Sequence, residues 1–252
     1  MEGEISVRGI VIADSKYNEY DKRLVLLTSE LGKITVFANG ARRQNSRFTA
    51  VSRPFTMGRF KIRGGRSAAY TLVSAEIEES FVDIGYDLEI MCYASYACEL
   101  MEFFTHEGLG AGAELNLLYL TFKALLAGTI DKKLIKAIFE IKLLDIEGVG
   151  PHVSDCVKTG KKENLHHFDP VLGGVISDSA LTVSSHAIPI SDGALYVLRY
   201  VMASALGKLF SFRVDDAVVQ EVGRISSDFL FQITNRNFKS LDILKDISMD
   251  LC

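Results

Sequence analysis

The hydrophobic period of this chain changes near Asp83, and no other feature limits its fold as strongly. Before that point apolar residues alternate with polar ones. In KITVFANGA, Ile34, Val36 and Ala38 stand against Lys33, Thr35, Phe37 and Asn39. A period of two puts successive side chains on opposite faces of a strand. ISVRGIVIADS is rich in β-branched residues, and FTMGRFKIRGGRSAAYTLVSAEIEESF holds two apolar runs broken at Gly64-Gly65, a hairpin signal. Five or so short strands within 80 residues predict a small barrel, and the five-stranded OB-fold is the expected type. After Asp83 the apolar spacing becomes helical: Ile90, Tyr93, Ala97, Leu100 and Phe104 share one face. Further helical runs begin at AELNLLYL, at Asp131, at Ser191 and at Asp215, the last three being N-cap residue types, and Gly128 and Gly148 mark helix ends.

The fold class that follows is α+β and multidomain. Residues 1–80 are expected to form an OB-fold domain. Residues 81–150 and 189–252 form two parts of a helical bundle, and 151–188 an insertion between them. The 252 residues contain no uncharged apolar run of membrane-spanning length, and the N-terminus carries acids before its apolar run, unlike a secretory leader. Four scattered cysteines (Cys92, Cys98, Cys156 and Cys252) suggest reduced thiols rather than a disulfide framework. A cytoplasmic location is therefore expected.

The net charge of -4 hides an asymmetry. From Leu31 to Ala75 there are nine basic residues and no acid: Lys33, Arg42, Arg43, Arg47, Arg53, Arg59, Lys61, Arg63 and Arg66. Phe37, Phe48, Phe55, Phe60 and Tyr70 are interleaved with them. Single strands bind where a cationic groove tracks phosphates and aromatic rings stack on bases. Arginine dominates, which favours forked contacts to phosphate. The plainer reading of a charge run is a solvated face whose acids lie elsewhere in space, and most Phe in a small barrel are core. The length of the acid-free stretch favours nucleic acid. A second basic run, with Lys132, Lys133, Lys136 and Lys142, reads as a solvated helix face with local ion pairs, or as a dock for an acidic peptide.

Signatures of catalysis are missing. There is no G-x-x-x-x-G-K-[ST] loop, no G-x-S-x-G elbow and no H-E-x-x-H pair; GLGAG at Gly108 to Gly112 lacks a preceding strand. None of the five histidines lies beside a nucleophile in sequence. The chain is expected not to be an enzyme.

DCVKTGKKENLHHFDPVLGGVISDSA has the spacing of a zinc ribbon without its ligands. Cys156 and Thr159 form one x2 pair, Ser177 and Ala180 a second, and 17 residues lie between the pairs. A four-cysteine site uses two C-x2-C pairs separated by about 15–20 residues. His152, His166, His167 and His186 fall outside that template. The sequence therefore predicts no metal and no other cofactor, with Cys156 the sole ligand position kept.

Taken in order, these stretches resemble the RecO family of bacterial recombination mediators over essentially the whole chain. YNEYDKRLVLLTSELGKITVFANGARR is similar to the family's Leu-Thr, Gly-Lys, strand and Gly-Ala-Arg succession. RFTAVSRPFTMGRFKIR continues it; FEIKLLDIEGVGPHVSDC and GGVISDSA resemble the two halves of the family's zinc ribbon; NFKSLDIL resembles its Leu-Lys-Ser element. The resemblance implies an OB-fold, a helical domain and an inserted ribbon. It implies a protein that binds single- and double-stranded DNA, anneals complementary strands, and helps load the recombinase with RecR and the acidic tail of single-strand binding protein. It places DNA contact on Arg42 and Arg43, with Lys33, Arg47, Arg59, Lys61, Arg63 and Arg66 around them. Lys239 and Ser240 match a family element without an assigned role. The rival reading is a protein–protein adaptor whose helical half binds acidic peptides while the barrel is a scaffold.

Overall fold

The computed structural model describes residues 3–64 and 69–250. Five strands come first: β1 (Glu4–Lys16), β2 (Lys22–Thr28), β3 (Gly32–Ala38), β4 (Thr56–Gly64) and β5 (Tyr70–Ser80). They pair in the order β1-β2-β3-β5-β4, and β4 pairs back onto β1 from Glu4↔Arg63 to Ile10↔Met57, so the sheet curls into a barrel. All neighbours are antiparallel except β3 and β5, which meet only at Val36↔Tyr70 and Phe37↔Thr71. The alternation in β3 holds as read: Ile34, Val36 and Ala38 are buried, while Lys33, Thr35 and Phe37 are partly exposed. Those inward residues join Val7, Val11, Leu24, Leu26, Phe60, Ile62 and Leu72 in one core, and Ala41, Phe48 and Val51 of the β3–β4 connection plug it. Burying each large side chain stabilises by roughly 1.5–3 kcal/mol, which fixes both the strands and the connection that carries Arg42, Arg43, Arg47 and Arg53.

The helices follow where the period changes: α1 (Leu88–Phe104), α2 (Gly112–Ala127), α3 (Lys132–Ile146), α4 (Asp192–Ala203), α5 (Asp216–Thr234) and α6 (Lys239–Asp250). Asp131 caps α3 by accepting from Lys133 N–H and Leu134 N–H, and Ser191 caps α4 by accepting from Ala194 N–H. Asp215 precedes α5 with extended backbone but makes no side-chain cap bond. Between α3 and α4 lies a small antiparallel sheet of β6 (His167–Asp169), β7 (Gly174–Ile176) and β8 (Ile188–Pro189), in the order β7-β6-β8.

The chain packs as two compact units, Met1–Phe122 with Lys239–Cys252, and Lys123–Phe238. The first unit therefore includes α1, most of α2 and the C-terminal α6, which packs on α1. Ser240, at the start of α6, donates its hydroxyl to Glu99 Oε1 of α1 at 2.9 Å, which gives this residue a structural task. In the second unit the basic helix α3 is not a solvated face throughout. Lys136 pairs with the fully buried Glu140 at 2.7 Å, and Ser226 of α5 donates to the same carboxylate at 2.7 Å. Lys142 pairs with Asp145 at 2.8 Å and is also buried. Lys136 thus compensates a buried carboxylate, and Asp145 compensates the buried ammonium of Lys142.

No helix among the described residues is long and apolar enough to cross a membrane. Cys92, Cys98 and Cys156 are free thiols, all buried; Cys252 and Gly65 lie outside the described residues.

Candidate nucleic-acid interface

The acid-free stretch divides into two groups once folded. Arg59, Lys61 and Arg63 alternate along β4 with the buried Phe60 and Ile62, so all three point outward. Acids far away in sequence meet them there. Glu4 of β1 pairs with Lys61 at 2.7 Å and Arg63 at 2.5 Å. Glu78 of β5 pairs with Arg59 at 3.1 Å and with Arg8 of β1 at 2.7 Å. Arg8 and Arg59 stand directly opposite in the β1–β4 register, so Glu78 relieves a like-charge pair. It reaches them because the β4–β5 register shifts there, with Met57 opposite Glu79 and Gly58 opposite Ile77. Hydrogen bonds from Lys61 and Arg63 hold the Glu4 carboxyl below its ordinary range. On β4 the acids that the plainer reading of a charge run calls for are present.

Arg42, Arg43, Arg47 and Arg53 sit on the β3–β4 connection, all exposed, and none makes an ion pair with a described carboxylate. The connection is fastened to the β1–β2 turn. Arg42 N–H donates to Tyr20 O at 2.9 Å, and its guanidinium donates to Glu19 O at 2.9 Å. Gly40 N–H donates to Asp21 Oδ1 at 2.7 Å, and this backbone bond chiefly lowers the Asp21 pKa. The Arg43 guanidinium lies over the Tyr20 ring, 5.3 Å from its centroid. Arg47 donates to Val73 O at 2.9 Å and stacks over Phe48 at 4.7 Å. The guanidiniums are thus positioned by backbone carbonyls and rings; short of an ion pair, the charge of Arg43 also contributes to lowering the Asp21 pKa.

Lys33 does not join this group. It sits at the opposite end of β3, roughly 15–20 Å along the strand from Ala38 and its connection, and its ammonium donates to Glu102 O at the end of α1. Gly32 beside it has φ +66°, and a Cβ there would meet His106 O at 2.1 Å, so this end of β3 is closed over by the segment after α1. Arg66 lies outside the described residues.

Three further residues belong beside the connection. Tyr17 and Tyr20 of the β1–β2 turn are 56% and 45% exposed, and the Tyr17 ring lies 4.4 Å from that of Phe37. Arg23 of β2 stands opposite Phe37 and is exposed. Of the interleaved aromatics read from sequence, Phe48 and Phe60 are core, and Phe37 faces outward. Tyr17, Tyr20 and Arg23 fall outside the acid-free stretch, so a search by charge passes over them. Only the closeness of the β1–β2 turn to the β3–β4 connection brings them in.

The insertion has its own geometry. Its two short turns bring the ribbon positions together: Thr159 Oγ1 and Ser177 Oγ are 3.3 Å apart. Burial would push the Cys156 thiol up, but hydrogen bonds from Ser177, Thr159 and the backbone outweigh it and lower the pKa to about 6. Gly174 is needed here because a Cβ would meet Val157 Cγ1 at 2.5 Å and His152 O at 2.6 Å.

Family comparison decides the relationship. The family model described as "Recombination protein O N terminal" matches residues 1–81, and "Recombination protein O C terminal" matches 85–242. The chain belongs to the RecO family. A protein named "DNA repair protein RecO" from Alkaliphilus metalliredigens is 31% identical over 245 residues, covering 96% of this chain and 99% of its own. The protein of that name from Acetivibrio thermocellus is 31% identical over 250 residues, covering 98% and 99%. That from Bacillus pumilus is 33% identical over 236 residues, covering 94% and 91%.

Zinc, which the ribbon of the RecO family implies, is a poor fit to the residues present here. One thiol, two hydroxyls and the methyl of Ala180 occupy the ligand positions, where a structural zinc takes four Cys or His donors. The histidines do not rebuild the set. His152 pairs with Asp155 at 2.9 Å, while His166 and His167 face Asp178 at 3.0 and 3.5 Å. Among the described residues no group of three or more His, Cys, Asp or Glu could hold a metal ion.

Proposed function

We propose that this RecO-family chain acts in DNA repair and recombination as a non-catalytic mediator that binds single- and double-stranded DNA and anneals complementary strands. Full-length similarity to proteins named DNA repair protein RecO carries the reading. The strand order β1-β2-β3-β5-β4 supports assigning the barrel to the OB-fold class, whose strand 2–3 face and adjoining loops bind oligonucleotides. Arg42, Arg43 and Arg47 hold phosphates, with Arg53 beside them; Arg59, Lys61 and Arg63 add a weaker field, and Lys33 lies outside the main contact. Arg66 belongs to the same proposal by sequence alone. Tyr17, Tyr20 and Phe37 offer ring faces to unstacked bases.

Annealing follows from electrostatics. Two strands repel through their phosphates, and guanidiniums that neutralise both backbones remove that barrier without occupying the pairing edges of most bases. The mediator works in the cytoplasm at the nucleoid without bound zinc, together with a RecR-like ring and the acidic tail of single-strand binding protein, and helps the recombinase onto covered strands. Fluorescence anisotropy with a labelled single strand, followed by a complementary-strand annealing assay, tests it. Binding that weakens steeply with salt, and faster annealing with protein, are expected. Salt-independent or absent binding would reject the reading.

A further inference from the structure

The insertion leaves a polar cleft that neither the barrel site nor a metal accounts for. Its first turn is tied by Gly160 N–H donating to Cys156 O and Cys156 N–H donating to Lys161 O, both at 2.8 Å. Its second is tied by Ala180 N–H donating to Ser177 O at 2.8 Å. Between the turns runs a row of side chains. Lys161 Nζ donates to Ser179 Oγ at 3.4 Å, Ser179 Oγ lies 3.1 Å from Ser177 Oγ, and Ser177 Oγ lies 3.3 Å from Thr159 Oγ1.

A cleft of about 410 Å³ opens beside this row, lined by Lys161, Lys162, Glu163, Asn164, Ser177 and Ser179. That volume is ligand-sized. Asn164, at φ +52°, accepts Asp178 N–H at 3.0 Å and so ties the lysine-bearing rim to the second turn. Lys158, Lys161 and Lys162 make no ion pair with a described carboxylate. The lining therefore offers two ammonium groups and the Ser179 hydroxyl on a concave wall, the Ser177 hydroxyl being engaged with Cys156. Glu163 opposes an anion, and Asp155 offsets part of the Lys162 charge, so Lys161 carries most of the attraction. Cys156 is 1% exposed, and its own hydroxyl and backbone donors meet its charge.

Ammonium and hydroxyl donors converging on one polar cleft recognise tetrahedral oxyanions. We propose that this cleft is a phosphate-binding site, where two turns with ribbon spacing have exchanged metal ligands for hydroxyls and lysines. The phosphate comes either from inorganic phosphate or from a DNA backbone phosphodiester. The site goes beyond the barrel interface, and its phosphate arm stands even if the barrel does not bind DNA.

The test uses the full chain and the variants K161A/K162A and S179A. Melting is followed with inorganic phosphate against chloride at matched ionic strength, and duplex affinity across a salt series. A saturable rise in melting temperature with phosphate, lost in K161A/K162A and reduced in S179A, supports the site. If the phosphodiester is the source, K161A/K162A also lowers the magnitude of the log-affinity versus log-salt slope by about 1–2. A saturable rise with an unchanged slope assigns the site to free phosphate. No saturable rise together with an unchanged slope overturns the proposal.

Discussion

Strand β4 and the connection before it look alike in sequence and differ once folded. Both are arginine-rich and free of acids. On β4 each cation has a carboxylate within ion-pair distance, supplied by Glu4 or Glu78. On the connection, Arg42, Arg43, Arg47 and Arg53 have none among the described residues. The difference comes from pairing. A barrel strand has two neighbours, and those of β4 carry the acids that its own segment lacks. A loop has no such obligatory neighbours. Absence of acid along the chain therefore leaves cations without ion-pair partners only where the chain leaves the sheet.

This contrast can be broken or sharpened by substitution. The largest effect is expected from R42A/R43A, which should weaken single-strand binding roughly tenfold or more and cut the magnitude of the salt slope by about 1.4, at about 0.7 for each phosphate no longer neutralised. Equilibrium titrations at several salt concentrations read both. Next comes D21N, which weakens the acceptor for Gly40 N–H that fastens the connection to the β1–β2 turn. A several-fold loss of affinity is expected, with faster amide exchange at Gly40. E4Q/E78Q should act in the opposite direction. Removing both acids frees Arg8, Arg59, Lys61 and Arg63 and should tighten binding a few-fold at low salt, with the gain vanishing at high salt, since exposed pairs are worth only about 0–1 kcal/mol each.

Much of this architecture was legible beforehand. The alternation in KITVFANGA defined the inward face of β3, and Asp131 and Ser191 cap their helices as their positions imply. Other features depend on pairing over long separations. Glu4 meets Arg63 across most of the barrel sequence, and no local pattern announces it. α6 was not among the helical runs read from the sequence, although Leu241 and Leu244 in KSLDILKDISMD stand at helical spacing. Tyr17 and Tyr20 sit among acids in sequence, yet in space Tyr17 packs on Phe37 and Tyr20 lies under the Arg43 guanidinium. The ribbon spacing did carry through, because Thr159 and Ser177 still meet, although hydroxyls replace thiolates.

An effect on stability concerns that meeting point. The Cys156 pKa is depressed to about 6 in the fold from an ordinary value of 9.0. Its contribution to stability is therefore full above pH 9 and is lost as pH falls toward 6. Chemical denaturation of wild type and C156A should show a stability gap in favour of wild type that widens from pH 6 to pH 9. A gap independent of pH would mean that the sulfur stays protonated.

The central claim is that the unpaired arginines of the β3–β4 connection, rather than the paired cations of β4, hold DNA. Anisotropy with one labelled single strand, run across the same salt series for R42A/R43A and R59A/R63A, compares them directly. The account predicts a loss for R42A/R43A several times that for R59A/R63A, with the larger fall in salt slope. Equal losses, or a greater loss for R59A/R63A, would contradict it.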